Sequence, residues 1–401
     1  MIEHNKIDVN GWHCIISIAL LAAVVPAAVV LGPIVVGAYV TQLGFSEQQA
    51  GYLIAAELVG AGLATFVAYF AVSRFSWHRI LYFALTACLL GNLLSAFLVE
   101  YNLLVPVRFV TGLAVGSIMI MTIVIVGMTR DQERNFGYWA MGQVIFAVIG
   151  FAVLPHLIPK FGIGSFFIGM AIVMVLLLLF VVKNLPASGT AQHQLGLGGL
   201  PPAAKQLAPV SLLALLLFYI GIGSVWAYVE RIGAQAGLAP DFIGYVLSGS
   251  SVVGVLGASL ATFLSTRFGR LLPPLFGYLM IGVTIAMYFG TPTALIFAVA
   301  SLLFKFAWWF ISPYLLANMT SLDPSGRIAI LTNFVIGVGL GFGPAIAAWL
   351  LGPEAETTSG NLDYSKVIYL GVSCVSLSIV LLIPIIRYNS GSERVGSASD
   401  I

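Results

Sequence analysis

Charge is what this chain has least of. Only 8% of its 401 residues are Asp, Glu, Lys or Arg, against 60% that are hydrophobic, whereas a soluble domain carries roughly 25% charged residues. That scarcity excludes water as the main solvent and leaves lipid. The 17 basic and 15 acidic residues nearly cancel, to a formal +2, so the basic footprint that nucleic acid requires is absent. Cysteine is scarce too. Cys14, Cys88 and Cys374 lie far apart in apolar runs, which excludes a disulfide framework or a C-x-x-C site and makes them packing residues. The five histidines are His4, His13, His78, His156 and His193. None has a carboxylate or cysteine at ligand spacing, so no metal is expected. No Gly-Lys-Ser/Thr follows the glycine-rich stretch from Gly337 to Gly343, which excludes a phosphate loop and with it ATP. No Ser/His/Asp set is legible either, so neither an enzyme nor a cofactor is expected.

What the chain has in abundance is long apolar runs. A helix needs about 20 apolar residues to cross roughly 30 Å of hydrocarbon, and twelve such runs can be bracketed. They fall near 12–41, 49–72, 79–99, 102–127, 137–159 and 163–184, then 209–230, 242–265, 271–290, 293–318, 326–352 and 366–387. The first run follows a polar lead and is far too long for the h-region of a cleaved signal peptide. The expected fold is therefore all-α and integral to the membrane, with twelve transmembrane helices in two pseudo-symmetric six-helix bundles. The expected organisation is an N-terminal half over 1–184, a cytoplasmic linker over 185–208 rich in Gly and Pro, a C-terminal half over 209–390, and a disordered tail over 391–401.

Two further patterns support the halves. Gly44, Gly51, Tyr52, Leu63, Arg74 and Phe75 return as Gly237, Gly244, Tyr245, Leu256, Arg267 and Phe268, at one constant shift of 193 residues. Such an echo marks an internal duplication of the kind secondary transporters carry. Sorting Lys and Arg by alternate sides of the twelve spans puts Lys6, Arg74, Arg79, Arg130, Arg134, Lys183, Lys205, Arg267, Arg270, Arg327, Arg387 and Arg394 together. The other side receives only Lys160, Arg231 and Lys366. The positive-inside bias places both termini and the linker in the cytoplasm of a cell or inner membrane, and the acidic loop with Glu354, Glu356 and Asp363 outside.

Twelve spans in two halves, with a basic turn after span two that returns after span eight, resemble the major facilitator superfamily over nearly the whole chain. The family's turn reads Asp-Arg-x-Gly-Arg. Here the second copy is Thr266-Arg267-Phe268-Gly269-Arg270 and the first is Ser73-Arg74-Phe75-Ser76-Trp77-His78-Arg79. Both lack the Asp, and Tyr69 and Thr262 replace the Gly four residues before it. In span four, Arg108-Phe109-Val110-Thr111-Gly112 is similar to the R-x-x-x-G pattern of proton-linked members. The Gly-Pro signature of antiporters is missing from span five, and the run from Gly337 to Pro344 in span eleven resembles it better. The resemblance implies alternating access to a site near the membrane midplane.

Charged groups within spans cost roughly 2.5 to 3.5 kcal/mol each on insertion scales, so each one is informative. Four stand out: Glu57, Arg108, Glu230 and Lys305. At 1.5 Å per residue Glu57 lies on the order of 13 Å, and Arg108 on the order of 9 Å, below the outer ends of their spans. They form either a structural ion pair or a proton-coupling carboxylate beside a substrate-binding guanidinium. Lys305 lies roughly 20 Å into span ten, where snorkelling is hardest. Trp308, Trp309 and Ser312 follow it at i+3, i+4 and i+7, so Lys305, Trp308, Trp309 and, from span seven, Trp226 are candidate substrate contacts. Glu230 is either a second proton-coupling group or, with Arg231, an interfacial anchor. Ser312 is left unassigned.

These readings converge on a monomeric, proton-coupled secondary transporter of a small organic solute, anionic or amphipathic, in contact with membrane lipid and no nucleic acid. Export and import by proton symport both remain open. A membrane sensor would want a soluble signalling domain and a lipid-acting enzyme a catalytic cluster, and neither is visible.

Overall fold

A computed structural model of the chain describes residues 7–72, 74–188, 202–264, 267, 271–322, 327–352 and 362–399. Lys6, His4, His193, Glu354, Glu356, the linker from 189 to 201 and, apart from Arg267, the second basic turn lie outside the described residues. All regular structure among the described residues is helical. The chain divides into two compact units, Met1–Gln192 and His193–Ile401.

The first unit contains α1 (Trp12–Val24), α2 (Ala27–Val30), α3 (Gly32–Leu43), α4 (Glu47–Val72), α5 (Trp77–Phe97), α6 (Tyr101–Gly127), α7 (Gln132–Phe161) and α8 (Ile163–Phe180). The second contains α9 (Pro202–Gln235), α10 (Pro240–Leu264), α11 (Leu272–Ala286), α12 (Ala294–Leu322), α13 (Arg327–Leu351) and α14 (Ser365–Ser399). Among the described residues nine helices are long and apolar enough to cross a membrane, and Trp12–Val24, Gly32–Leu43 and Leu272–Ala286 are shorter apolar helices. With α1 to α3 taken as one interrupted span, each unit holds six.

That interruption departs from the uninterrupted span expected over 12–41. Pro26 has no N–H to give to the carbonyl four residues back, and its ring crowds the preceding turn, so α1 stops at Val24. A second break falls at Leu31, after which Pro33 occupies the first turn of α3. Two other boundaries also differ. Helix α9 starts at Pro202 rather than near 209, because Ala203, Ala204, Lys205, Gln206, Leu207 and Ala208 are nearly all strong helix formers behind a first-turn proline. Helix α14 runs to Ser399, across residues expected to be a disordered tail. Extending a nucleated helix costs far less than starting one.

Inside each unit the packing follows the sequence echo. Helix α4 lies on α6, α5 on α6 and α8, and α1 on α7; in the second unit α10 lies on α12, α11 on α12 and α14, and α9 on α13. Small residues make the tightest crossings possible, since in lipid close packing replaces the hydrophobic drive between helices. A Cβ added at Gly112 would run into the backbone carbonyl of Glu57, and one at Gly116 into that of Ala61. Under the 193-residue shift Gly116 and Ala61 become Trp309 and Gly254, and those two also touch. The crossing is thus kept while large and small residues change places. Gly44 and Gly237 have φ of 68° and 76°, the left-handed geometry that ends a helix at little cost only for glycine. Their recurrence in the sequence marks the same turn in both units. Outward-facing Phe83, Phe97, Leu279 and Leu295 are 81%, 71%, 67% and 73% exposed, a surface compatible with lipid and not with water.

Candidate functional site

Each unit carries a charged group among its apolar side chains. In the first, the 1.5 Å rise and close α4–α6 crossing bring Glu57 against Arg108, which are 2% and 1% exposed. Arg108 Nε donates to Glu57 Oε2 at 3.1 Å, and Nη2 is ion-paired with the same oxygen. Its Nη1 donates to Asn92 Oδ1 and to Ser95 Oγ, both at 3.3 Å. Asn92 and Ser95 stand one turn apart on α5, so both face α6. One Asn92 Nδ2 hydrogen goes to the Cys88 carbonyl at 2.9 Å and the Ser95 hydroxyl hydrogen to the Gly91 carbonyl at 2.7 Å, and both side chains turn oxygen toward the guanidinium. Below it lies the Phe167 ring of α8, 5.0 Å from Arg108 Cζ, and Tyr39 of α3 stacks on that ring at 6.3 Å between centroids.

A guanidinium has five N–H donors, and four of Arg108's are engaged within the unit. Most of the group's hydrogen-bonding capacity is thus spent within the unit. Arg108 fixes one oxygen of the Glu57 carboxylate and ties α4, α5, α6 and α8 together.

The second unit is built differently. Under the same shift Glu57 and Arg108 become Ser250 and Ser301, both fully buried. Ser301 pairs with the Tyr288 hydroxyl at 2.8 Å and Ser250 donates to the Leu247 carbonyl at 2.7 Å. Charge enters instead one turn further along α12, at Lys305. Its ammonium lies 3.7 Å from the centroid of the Trp226 ring and 4.4 Å from that of Trp308. Phe304 packs against both indoles. It stacks on Trp226 at 6.1 Å with the rings 5° from parallel, and Trp308 stands edge-on to both. Trp226 comes from α9, and the i, i+3 spacing of Lys305 and Trp308 puts both on the α12 face that meets it.

Among the described residues Lys305 makes no ion pair and no hydrogen bond. Two desolvated π-faces contribute at most about 2 kcal/mol each. Lys305 is of intermediate exposure, so solvent shares with the two rings in offsetting the cost of its charge. Of the two partners open to Lys305 in the sequence, Glu57 is paired with Arg108 inside the first unit. Glu230 sits one turn beyond Trp226 on α9, near its C-terminal end and partly exposed. Trp309 does not join the cage; its indole packs on α10, where a Cβ at Gly254 would approach Cδ1 to 3.2 Å.

Sequence reasoning placed Glu57 near Arg108 and grouped Lys305 with Trp308 and Trp309, with Trp226 as a further cavity aromatic, and missed Asn92, Ser95, Tyr39, Phe167 and Phe304. Asn92 and Ser95 had a signal, two polar residues at i, i+3 inside a span. The aromatic residues had none, because a ring lining a charge and a ring packing a core look alike in an apolar helix.

The family model described as Major Facilitator Superfamily matches residues 16–348. No curated protein matches the chain. Among solved structures, the peptide transporter POT in complex with sulfate is 12% identical with a TM-score of 0.74, over 96% of this chain and 98% of that one. The nucleoside transporter NupG is 14% identical with a TM-score of 0.70, over 93% and 98%. A proton dependent oligopeptide transporter is 11% identical with a TM-score of 0.71, over 94% and 99%. At these identities the likeness carries the fold. The family match covers most of the chain, and the all-α membrane fold with its two similar units agrees with it: the chain belongs to the major facilitator superfamily and is a multi-pass secondary transporter, not an enzyme.

Proposed function

We propose that the chain is a proton-coupled transporter of a small organic anion with an apolar or aromatic portion, working by alternating access. The observation that carries this is the Lys305 ammonium, held over two indole faces and, among the described residues, in no ion pair. Trp226, Trp308 and Phe304 offer a solute apolar surface, and Lys305 offers it a positive charge. Trp309, engaged with α10, is left out of the contact set, and Arg108 acts through Glu57 rather than on the solute. Glu57 carries the proton, being the ionisable member of a buried pair whose partner stays charged at all accessible pH. Glu230 is the second proton-coupling candidate. The fold hosts proton dependent oligopeptide transporters, so proton coupling is compatible with it. Twelve basic residues against three on the alternate sides support a cell membrane location with both termini cytoplasmic.

Charge favours symport. A proton on Glu57 makes the intramembrane groups more positive and strengthens anion binding, and by linkage the anion strengthens proton binding. Two ligands that assist each other load together. Export against a proton flow is the second reading, and rests on the Arg108 to Gly112 spacing that resembles proton-linked exporters.

Proteoliposomes with an imposed pH gradient and a panel of organic anions, cations and neutral solutes test the proposal. Symport predicts that an anion accumulates on the alkaline side together with protons, that Lys305→Gln stops the flux, and that Glu57→Gln leaves anion exchange but ends accumulation. Proton flux driven only by cations contradicts the anion reading, and an anion moving opposite to protons contradicts symport.

A further inference from the structure

The basic residues where α5 begins and α8 ends have no acidic counterpart. The Trp77 N–H donates to the Ala187 carbonyl at 2.9 Å and His78 Nε2 to the Leu185 carbonyl at 2.6 Å. These bonds tie the chain leaving α8, with Lys183, to the first turn of α5, which carries Arg79; Arg74 lies three residues before that helix. All three cationic side chains are exposed, and among the described residues none is in an ion pair. No Asp or Glu occurs between Glu57 and Glu100 or between Glu133 and Glu230, so neither α5 nor α8 nor the chain flanking them at this end supplies one. The basic residues between α6 and α7 are balanced instead. Arg134 pairs with Asp131 at 2.8 Å, and Asn10 holds the Arg130 N–H while giving its own N–H to Asp8. Positive-inside bias puts cations on one side of a membrane but does not gather the unbalanced ones at one pair of helices. Apolar surface adjoins them. Lys183 Nζ lies 5.7 Å from the centroid of the Phe180 ring, and Phe83 stands one turn beyond Arg79 on α5. Both rings are exposed, so the cations stand where hydrocarbon gives way to headgroups.

We propose that Arg74, Arg79 and Lys183 form a binding surface for an anionic phospholipid in the leaflet at this end of the helices. The guanidinium forks take the headgroup phosphate, which they match in geometry, and Lys183 adds a point charge. The acyl chains lie along Phe83 and Phe180. Charge complementarity selects an anionic headgroup, and the exposed rings directly beside the cations select a lipid over a soluble phosphate or an acidic protein. The surface belongs to the first unit alone and is independent of Lys305 and of the solute it receives.

Native mass spectrometry of the detergent-purified protein, titrated with phosphatidylglycerol or with phosphatidylcholine of the same acyl chains, reads the binding. A basic residue near the surface contributes roughly fivefold to affinity for an anionic lipid. The wild type is therefore expected to prefer phosphatidylglycerol by more than about tenfold, and Arg79→Gln with Lys183→Gln to weaken it roughly twenty-fivefold. Arg130→Gln with Arg134→Gln removes the same charge from the balanced residues and is expected to leave the affinity unchanged. Arg79→Lys with Lys183→Arg keeps the charge and is expected to keep the preference. Equal affinity of the wild type for the two lipids overturns the proposal. So does an equal loss in both glutamine pairs, which would mean that net charge alone is read. Displacement of phosphatidylglycerol by an equimolar soluble glycerol phosphate, or by an acidic peptide, overturns the lipid as occupant.

Discussion

Replacing Arg108 with glutamine removes the centre of the first unit's polar cluster, and the cost follows from its burial. The Glu57 carboxylate, 2% exposed, loses the guanidinium that compensates it. Asn92 and Ser95 lose the donor facing their oxygens, and neither can turn to another without giving up its bond to the α5 backbone. Breaking a buried ion pair from one side costs about 3 to 5 kcal/mol, and each stranded neutral acceptor adds about 1 kcal/mol. The glutamine amide recovers part of one. A net loss of about 4 kcal/mol, at roughly 2 to 4 °C per kcal/mol for a unit of this size, lowers the melting temperature by on the order of 10 °C. Thermal unfolding of the purified protein in detergent, followed by circular dichroism and by elution of the folded species, reads that shift. Glu57→Gln combined with Arg108→Gln replaces the pair with two amides and recovers most of it. The two single variants and the double close a mutant cycle whose coupling term isolates the pair itself. A shift under 2 °C for Arg108→Gln, or a cycle without coupling, refutes the reading of Arg108 as the clamp on Glu57.

Other substitutions separate close packing from mere glycine content. Gly112→Ala and Gly116→Ala each push a methyl into a backbone carbonyl of α4 and are expected to destabilise by about 1 to 3 kcal/mol, lowering the melting temperature measurably. Gly282→Ala, with nothing within 4 Å of the new Cβ, is expected to stabilise α11 by up to about 1 kcal/mol; a loss there contradicts the packing geometry. Gly44→Ala and Gly237→Ala should cost about 1 to 2 kcal/mol each, because both glycines are left-handed. Similar penalties at the two positions are the energetic counterpart of the repeat. Trp226→Leu and Trp308→Leu are expected to weaken anion binding, whereas Trp309→Leu should act on stability through α10. A loss of affinity from Trp309→Leu that exceeds the other two redraws the cage.

Span number, the two similar halves and the pairing of Glu57 with Arg108 were legible because they rest on hydropathy, on register and on the rise of a helix, all of which sequence fixes locally. The break after Val24 carried its own sign in Pro26 and Pro33, yet a window that counts apolar residues sees an uninterrupted run. The start of α9 was misplaced because a composition read as linker-like contains a stretch of good helix formers. Trp308 and Trp309 show a harder limit. They differ by about 100° around α12, and which of them meets Trp226 depends on the rotation of α12 against α9 and α10. That rotation is set by Gly254 and Gly257, which let α12 approach closely on the Trp309 and Phe306 side. Phe304 needed the same information.

Whether Lys305 receives the transported anion is tested most directly by proton flux into proteoliposomes on addition of an aromatic carboxylate, compared between wild type and Lys305→Gln. Anion-stimulated proton flux in the wild type, lost in Lys305→Gln while the protein remains folded and its melting temperature is retained or raised, is the expected result. Retention of full anion-stimulated flux by Lys305→Gln contradicts it.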